Sequence, residues 1–152
     1  MSEIEIREAR FDEPAVQKLV SERMTDLSQR YGGSGDDTPL VPSDFDPPAG
    51  AFLVAVAEDE LVGCAGWRTH GEDAELKRMY IAPAARGRGA ARLLLAAIEE
   101  SARARGLRRV ILETGDRQPE AIGLYQSCGY ERIKDFGYYK DEAGVLSFAR
   151  TL

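Results

Sequence analysis

Ile4 and Ile6 alternate with Glu3, Glu5 and Arg7, a period of two that predicts a short half-buried strand at the start of the chain. The period then lengthens. Val16, Leu19, Val20, Met24, Leu27 and Tyr31 recur at helical spacing, with Asp12 as the expected N-cap, Pro14 in the first turn and Gly32-Gly33 as the stop. A single apolar stripe of this kind packs on a sheet. From Gly32 to Gly50 the composition shifts to Gly, Pro, Ser and Asp, which reads as a long loop with a short helical turn around Ser43 to Phe45. Loops of that length in a compact domain are functional or mobile, and a substrate-site lid and a plain connector fit equally well.

Strand patterning returns at Ala51 to Glu58 and at Leu61 to His70, joined by a turn at Asp59-Glu60 short enough to make an antiparallel hairpin. Gly63 and Gly66 within the second strand predict close backbone packing or a bulge. Ala74 to Ile81 extends the meander and is closed by Pro83. A helix follows to about Arg105, with Ala90, Ala91, Leu94, Leu95, Ile98 and Ala102 on one side and Gly106 as its stop. Arg109 to Thr114 reads as a strand reached by a crossover, hence parallel to the strand at Ala74. Gln118 to Ser127 is a short helix closed by Cys128-Gly129. Strands at Tyr130 to Tyr139 and Val145 to Leu152 flank a turn at Asp141 to Gly144. The sum is about seven strands and three or four helices, an α/β domain with a mixed sheet.

The stretch from Ala74 to Ile98 also carries chemistry. A strand runs through Arg86-Gly87-Arg88-Gly89-Ala90-Ala91 into a helix. Such a junction aims backbone N–H groups outward at the positive end of a helix dipole, which favours a phosphate. Two familiar phosphate loops do not fit it. A dinucleotide fingerprint needs a third glycine where Arg92 stands, and a nucleotide-triphosphate loop needs Gly-Lys-Ser/Thr.

The loop instead resembles that of the GNAT superfamily of acyl-CoA-dependent N-acetyltransferases, which has the form Gln/Arg-x-x-Gly-x-Gly/Ala. The resemblance reaches further. E-L-K-R-M-Y-I-A-P is similar to the family's central strand, and L-E-T-G-D-R-Q-P-E-A-I-G-L-Y-Q-S-C-G-Y to its second motif. Together these stretches cover about residues 51 to 140, while residues 1 to 50 match only in element order. Two positions depart from the pattern: Ala91 where glycine is common, and Gln118 where asparagine is frequent.

The resemblance implies a single domain over 1–152 with a mostly antiparallel sheet of about seven strands flanked by helices, and coenzyme A in a cleft between two splayed parallel strands. It implies acetyl transfer from acetyl-CoA to a primary amine of a small molecule by direct attack in a ternary complex. Arg86, Gly87, Arg88, Gly89, Ala90 and Ala91 would hold the pyrophosphate. The backbone N–H of Met79 would meet the thioester oxygen, and Ile81 would pair with the pantetheine arm. Tyr80 and Gln118 would complete the cofactor contacts. Tyr125, a phenol, would orient or protonate the sulfur, and Glu75 would be the base. Glu75, Lys77 and Met79 are expected on one face of their strand, Arg78 and Tyr80 on the other. Lys77 is positioned to pair with Glu75 and reduce its basicity. Tyr31, Asp36, Asp37 and Trp67 are candidate acceptor contacts, each also readable as structural or solvated. Two alternatives remain open: a non-catalytic acyl-CoA-binding or sensory domain, and an acyltransferase using another acyl-CoA or acting on a protein amine. A homodimer through the last strands is a further family-based expectation.

Composition narrows the partners. A formal net charge of -6 disfavours nucleic acid, whose phosphates are met by clustered Lys and Arg. One histidine, His70, cannot build a histidine metal site, and Cys64 and Cys128 lack C-x-x-C spacing. No metal is expected, and both cysteines read as reduced packing residues. No apolar run reaches the roughly 20 residues of a membrane span, and M-S-E-I-E-I-R has no signal-peptide pattern, so a cytoplasmic location is expected.

Overall fold

The alternating stretches become seven strands: β1 (Glu5–Glu8), β2 (Gly50–Ala57), β3 (Glu60–His70), β4 (Asp73–Ile81), β5 (Arg109–Gly115), β6 (Glu131–Ile133) and β7 (Val145–Thr151). The helical stretches become α1 (Pro14–Tyr31), α2 (Ala90–Ala104) and α3 (Pro119–Ser127). This is a computed structural model describing residues 3–152; Met1 and Ser2 of the expected 1–152 domain lie outside the described residues. One sheet holds all seven strands in the order β1-β2-β3-β4-β5-β7-β6. Its neighbours are antiparallel except for β4 and β5.

The sheet has two apolar faces. Val16, Leu19 and Val20 of α1 pack with Phe11, Phe45, Phe52, Val54, Cys64 and Tyr80 on one side. Leu94, Leu95, Ile98 and Ala102 of α2 pack with Trp67, Leu76, Leu112 and Phe148 on the other. The long loop is anchored rather than loose. Its helical turn (Pro42–Phe45) drives Phe45 between Phe11 and Phe52, with ring centroids 5.0 and 5.3 Å apart. Gly66 makes room for this, because a Cβ there would stand 2.6 Å from the Phe52 ring.

Several expectations are corrected. The cap of α1 is Glu13, whose carboxylate accepts the Arg10 N–H at 3.0 Å, while Asp12 pairs with the Arg10 guanidinium. The hairpin turns on Glu58 and Asp59, both at positive φ, and β3 begins at Glu60. The strand expected over Tyr130 to Tyr139 ends at Ile133. Beyond it the chain bends so that Gly137 lies against the Glu113 carboxylate and the Tyr139 N–H donates to that carboxylate at 3.0 Å. Trp67 is core, with no exposure, and its indole N–H donates to Ser101 Oγ at 2.9 Å. Cys64 is buried as expected, whereas Cys128 is half-buried and meets the Arg92 guanidinium at 3.4 Å.

The expected single-face arrangement of β4 is also overturned. Cys64 opposes Tyr80 but Gly66 opposes Lys77, so β4 advances three residues where β3 advances two. The extra residue is a bulge, with Arg78 in the left-handed region at φ 58. A bulge reverses the alternation beyond it. Leu76, Met79 and Ile81 therefore face α2, while Glu75 and Lys77 share the α1 side with Arg78 and Tyr80.

Candidate active site

The parallel pair β4 and β5 is held only at Ala74↔Val110 and Glu75↔Ile111. Past Glu75 the strands part, leaving the inner edge of β4 from Leu76 to Ile81 without a strand partner on that side. A cavity of about 390 Å³ opens along the gap, lined by Met79, Tyr80, Ile81, Ala91 and Tyr125 among others. The volume falls within the range of small-molecule sites.

At one end of the cavity stands the start of α2. Gly87 (φ 78) and Gly89 (φ 82) take left-handed conformations that other residues adopt only under strain. Gly89 is the N-cap, and no side chain caps the helix. The first-turn N–H groups, including those of Ala90 and Ala91, therefore have no intrahelical or side-chain acceptor, the arrangement that suits an anion. Arg86 folds back over this end: its Nε donates to the Ile81 carbonyl at 3.1 Å and its guanidinium lies 5.7 Å from the Tyr80 ring centroid.

Tyr125 reaches the middle of the cleft from α3. Its hydroxyl lies 3.9 Å from Met79 Sδ, and burial pushes its pKa up to about 12. Gln118 caps α3 at the cleft rim, with its amide 3.5 Å from the Tyr31 hydroxyl. That hydroxyl accepts the Arg117 N–H, so Tyr31 ties α1 to the end of β5.

The α1 side of the cleft is built from charge. Glu75 is 3% exposed, and both its oxygens are engaged: Arg68 Nε at 3.1 Å and Lys77 Nζ at 3.1 Å. Lys77 also lies 3.7 Å from Glu113 of β5, whose carboxyl is raised by burial against the opposing pull of Lys77. Asp36, from the long loop, receives Arg23 at 3.1 Å, Arg78 at 2.5 Å, the Thr38 N–H and hydroxyl, and the Tyr139 hydroxyl. Burial opposes its ionisation, but Arg23, Arg78 and Thr38 outweigh burial and hold the carboxyl well below the usual range. Asp37 points to Ser34, and its backbone N–H donates to the Tyr139 hydroxyl.

The structure brings Met79, Tyr80, Ile81, Arg86, Ala91, Gln118 and Tyr125 to one cavity, whereas Glu75, Gly87, Arg88, Gly89 and Ala90 are not among its lining residues. Two further lining residues, Glu113 and Tyr139, are not among the candidate site residues, although Glu113 lies within the stretch that resembles the second motif. The available signal for Glu113 is an acidic residue directly after the apolar run Val110-Ile111-Leu112 of β5.

A family model described as the acetyltransferase (GNAT) family matches residues 18–130, which include the parted strands, the glycine loop and α3. The chain belongs to the GNAT family. Its relatives agree. It is 43% identical over 90 residues to the IAA acetyltransferase of Azospirillum brasilense, a match spanning 58% of this chain and 59% of that protein. It is 32% identical over 134 residues to the uncharacterized N-acetyltransferase YjgM of Escherichia coli K12, covering 80% of this chain and 78% of the other. A Klebsiella pneumoniae structure named as an acyl-CoA N-acyltransferase superposes with TM-score 0.82 at 27% identity, covering 98% of this chain and 97% of that one. GNAT proteins of the same fold have been solved with coenzyme A or acetyl-CoA. The chain is therefore a GNAT acetyltransferase. Among the described residues no cluster of His, Cys, Asp or Glu has a metal-binding arrangement, and no helix is long and apolar enough to cross a membrane.

Proposed function

We propose that the protein transfers an acetyl group from acetyl-CoA to the primary amine of a small molecule, by direct attack within a ternary complex. The observation that carries this reading is the free inner edge of β4 leading straight to the uncapped start of α2. A pantetheine arm carries amide groups, so it can pair with a strand edge as an added strand does, through Ile81. Its pyrophosphate then meets the N–H groups from Gly87 to Ala91, with Arg86 and Arg88 supplying charge.

The bulge serves the reacting end. It removes Arg78 and Met79 from the register with β3, and the Met79 N–H is the group we assign to the thioester oxygen. Attack forms a bond from the amine nitrogen to the carbonyl carbon, breaks the carbon–sulfur bond and releases a thiolate and a proton. An amine with a lysine-like pKa is neutral in only about one molecule in a few thousand at pH 7, so a base accelerates the step. Two buried carboxylates, Glu75 and Glu113, are available; both oxygens of Glu75 are in ion pairs at 3.1 Å, whereas Glu113 has one longer ion pair, to Lys77 at 3.7 Å. A tyrosine at about 12 is roughly three units weaker as an acid than a thiol near 8.5. Tyr125 therefore acts chiefly by donating a hydrogen bond to the leaving sulfur, stabilising it without surrendering the proton outright.

Thiol release from acetyl-CoA in the presence of a panel of small amines tests the proposal. Amine-dependent release is expected, with Tyr125→Phe lowering kcat. Tight acetyl-CoA binding with no release for any amine would favour the non-catalytic acyl-CoA-binding alternative.

A further inference from the structure

Two buried charge clusters of opposite sign share the α1 side of the cleft. The first is an alternating chain that runs Asp44, Arg68, Glu75, Lys77, Glu113, with separations of 3.1, 3.1, 3.1 and 3.7 Å. Three carboxylates against two cations leave one negative charge in excess. Asp44, at one end, is partly exposed, whereas the Glu113 side chain at the other end is 4% exposed. Glu113 Oε2 accepts the Tyr139 N–H, while Oε1 faces the Lys77 ammonium at 3.7 Å and is buried without a hydrogen bond. A buried acceptor in that state costs free energy until a donor arrives.

The second cluster is Asp36 with Arg23 and Arg78. Two guanidiniums on one carboxylate leave one positive charge in excess. Arg78 also donates from Nη2 to the Thr38 carbonyl. Among the described residues Arg23 donates one hydrogen bond, from Nη1 to Asp36, so its remaining N–H groups are available to a ligand. Tyr139 joins the clusters, its N–H on Glu113 and its hydroxyl on Asp36. Arg23, Asp36, Glu113 and Tyr139 line one cavity of about 260 Å³.

We propose that the acceptor is an amino acid, with its amine against Glu113 and its carboxylate against Arg23, and that Glu113 takes the proton the amine sheds. This rests on the acetyl-transfer reading above. An ammonium alone would satisfy Glu113 and leave the positive cluster unmatched. A polyamine would bring a second cation toward Arg23 and Arg78, and like charges in a desolvated site are repelled. An amino acid matches both ends. In the step itself Glu113 Oε1 takes one proton from the bound ammonium, the neutral nitrogen attacks, the N–C bond forms, the C–S bond breaks, and the second amine proton leaves with the sulfur as the thiol beside Tyr125. The raised pKa of Glu113 strengthens it as a base. Glu75 then acts through Lys77 as a positioning residue.

The test measures kcat and KM by thiol release, with acetyl-CoA as donor. The acceptors are glycine, L-alanine, L-phenylalanine, β-alanine and 4-aminobutyrate, set against ethylamine, phenethylamine and spermidine. Acetyl-CoA affinity is measured separately by calorimetry. At least one amino acid is expected to exceed every carboxylate-free amine in kcat/KM by tenfold or more. Arg23→Gln should collapse that ratio toward one, mainly through KM, and Arg23→Lys should restore part of it. Glu113→Gln should lower kcat a hundredfold or more, leave acetyl-CoA affinity unchanged and remove the acid limb of the pH–rate profile. Glu75 and Lys77 from β4, with Asp36 and Tyr139, also titrate or carry charge near Glu113. Glu75→Gln is therefore run in parallel and should move the limb without removing it. Plain amines or spermidine used as well as amino acids, an unchanged ratio in Arg23→Gln, or wild-type kcat in Glu113→Gln would each overturn the inference. So would acetyl-CoA binding without turnover of any amino acid. Failure to bind acetyl-CoA counts against the wider reading instead.

Discussion

The two sides of the cleft are made of different materials. On the α2 side the functional groups are backbone: the free edge of β4, the bulge at Arg78 and Met79, and the N–H groups that follow Gly89. On the α1 side they are side chains, nearly all charged and buried, drawn from α1, the long loop, β3, β4, β5 and the segment after β6. Backbone recognition suits a ligand that is always the same, because almost any side chain preserves it. A network of side chains suits a ligand that differs from one family member to the next, since single substitutions re-aim it. The physical cost differs too: a backbone site needs two glycines that take positive φ without strain, whereas a charged site depends on every partner being present.

Removing one partner from the charged side is the most severe way to probe that contrast. Asp36→Ala leaves Arg78, 5% exposed, without its carboxylate and should cost about 3–5 kcal/mol of unfolding free energy in urea titration. A loss below about 1 kcal/mol would mean the cluster is solvated and the contrast wrong. Tyr125→Phe comes next. It should lower kcat on the order of tenfold to a hundredfold, or about 1.4 to 2.7 kcal/mol of barrier, with acetyl-CoA affinity and stability nearly unchanged, because the hydroxyl meets only a thioether in the free protein.

On the backbone side, Gly89→Ala introduces a Cβ that meets nothing within 4 Å, so its effect is conformational strain at φ 82 alone. We expect roughly 1–2 kcal/mol, read as a lower Tm together with weaker acetyl-CoA binding. Unchanged binding would detach the loop from the cofactor. The mildest probe is pH. The folded pKa of Asp36 lies below its unfolded value, so its contribution is complete above the ordinary carboxylate range near about 3.9 and is lost as pH falls toward the folded value. Asp36→Asn should therefore be less stable than wild type at neutral pH and lose less stability on acidification.

Legibility in the sequence divides along the same line. The proposed cofactor side is legible because local chemistry dictates its geometry: glycines that permit positive φ, an Ala/Leu stripe at helical spacing and an apolar strand before them. Gly63 and Gly66 likewise announced close packing and an irregular β3. The bulge was not readable. Arg78 adopts φ 58 without being glycine, and what holds it there is the guanidinium bonding to Asp36 and Thr38, residues about forty positions away. Without the bulge, strict alternation set Met79 beside Glu75, and the two are in fact on opposite sides. The proposed acceptor side is hidden for a related reason. Glu113 and Tyr139 sit 26 residues apart and meet only because the chain leaves β6 at Ile133 and folds back across β5. Asp36 is a candidate acceptor contact from the sequence, but its loop composition does not disclose that Arg23 and Arg78 converge on it.

Calorimetric titration of the protein with acetyl-CoA, paired with a thermal scan at saturating ligand, tests the central claim most directly. The parted strands and the glycine-capped helix predict one site per chain, and ligand at about 100 times its dissociation constant should add roughly 2.7 kcal/mol of stability. Absence of both heat and thermal shift at millimolar acetyl-CoA would contradict the account.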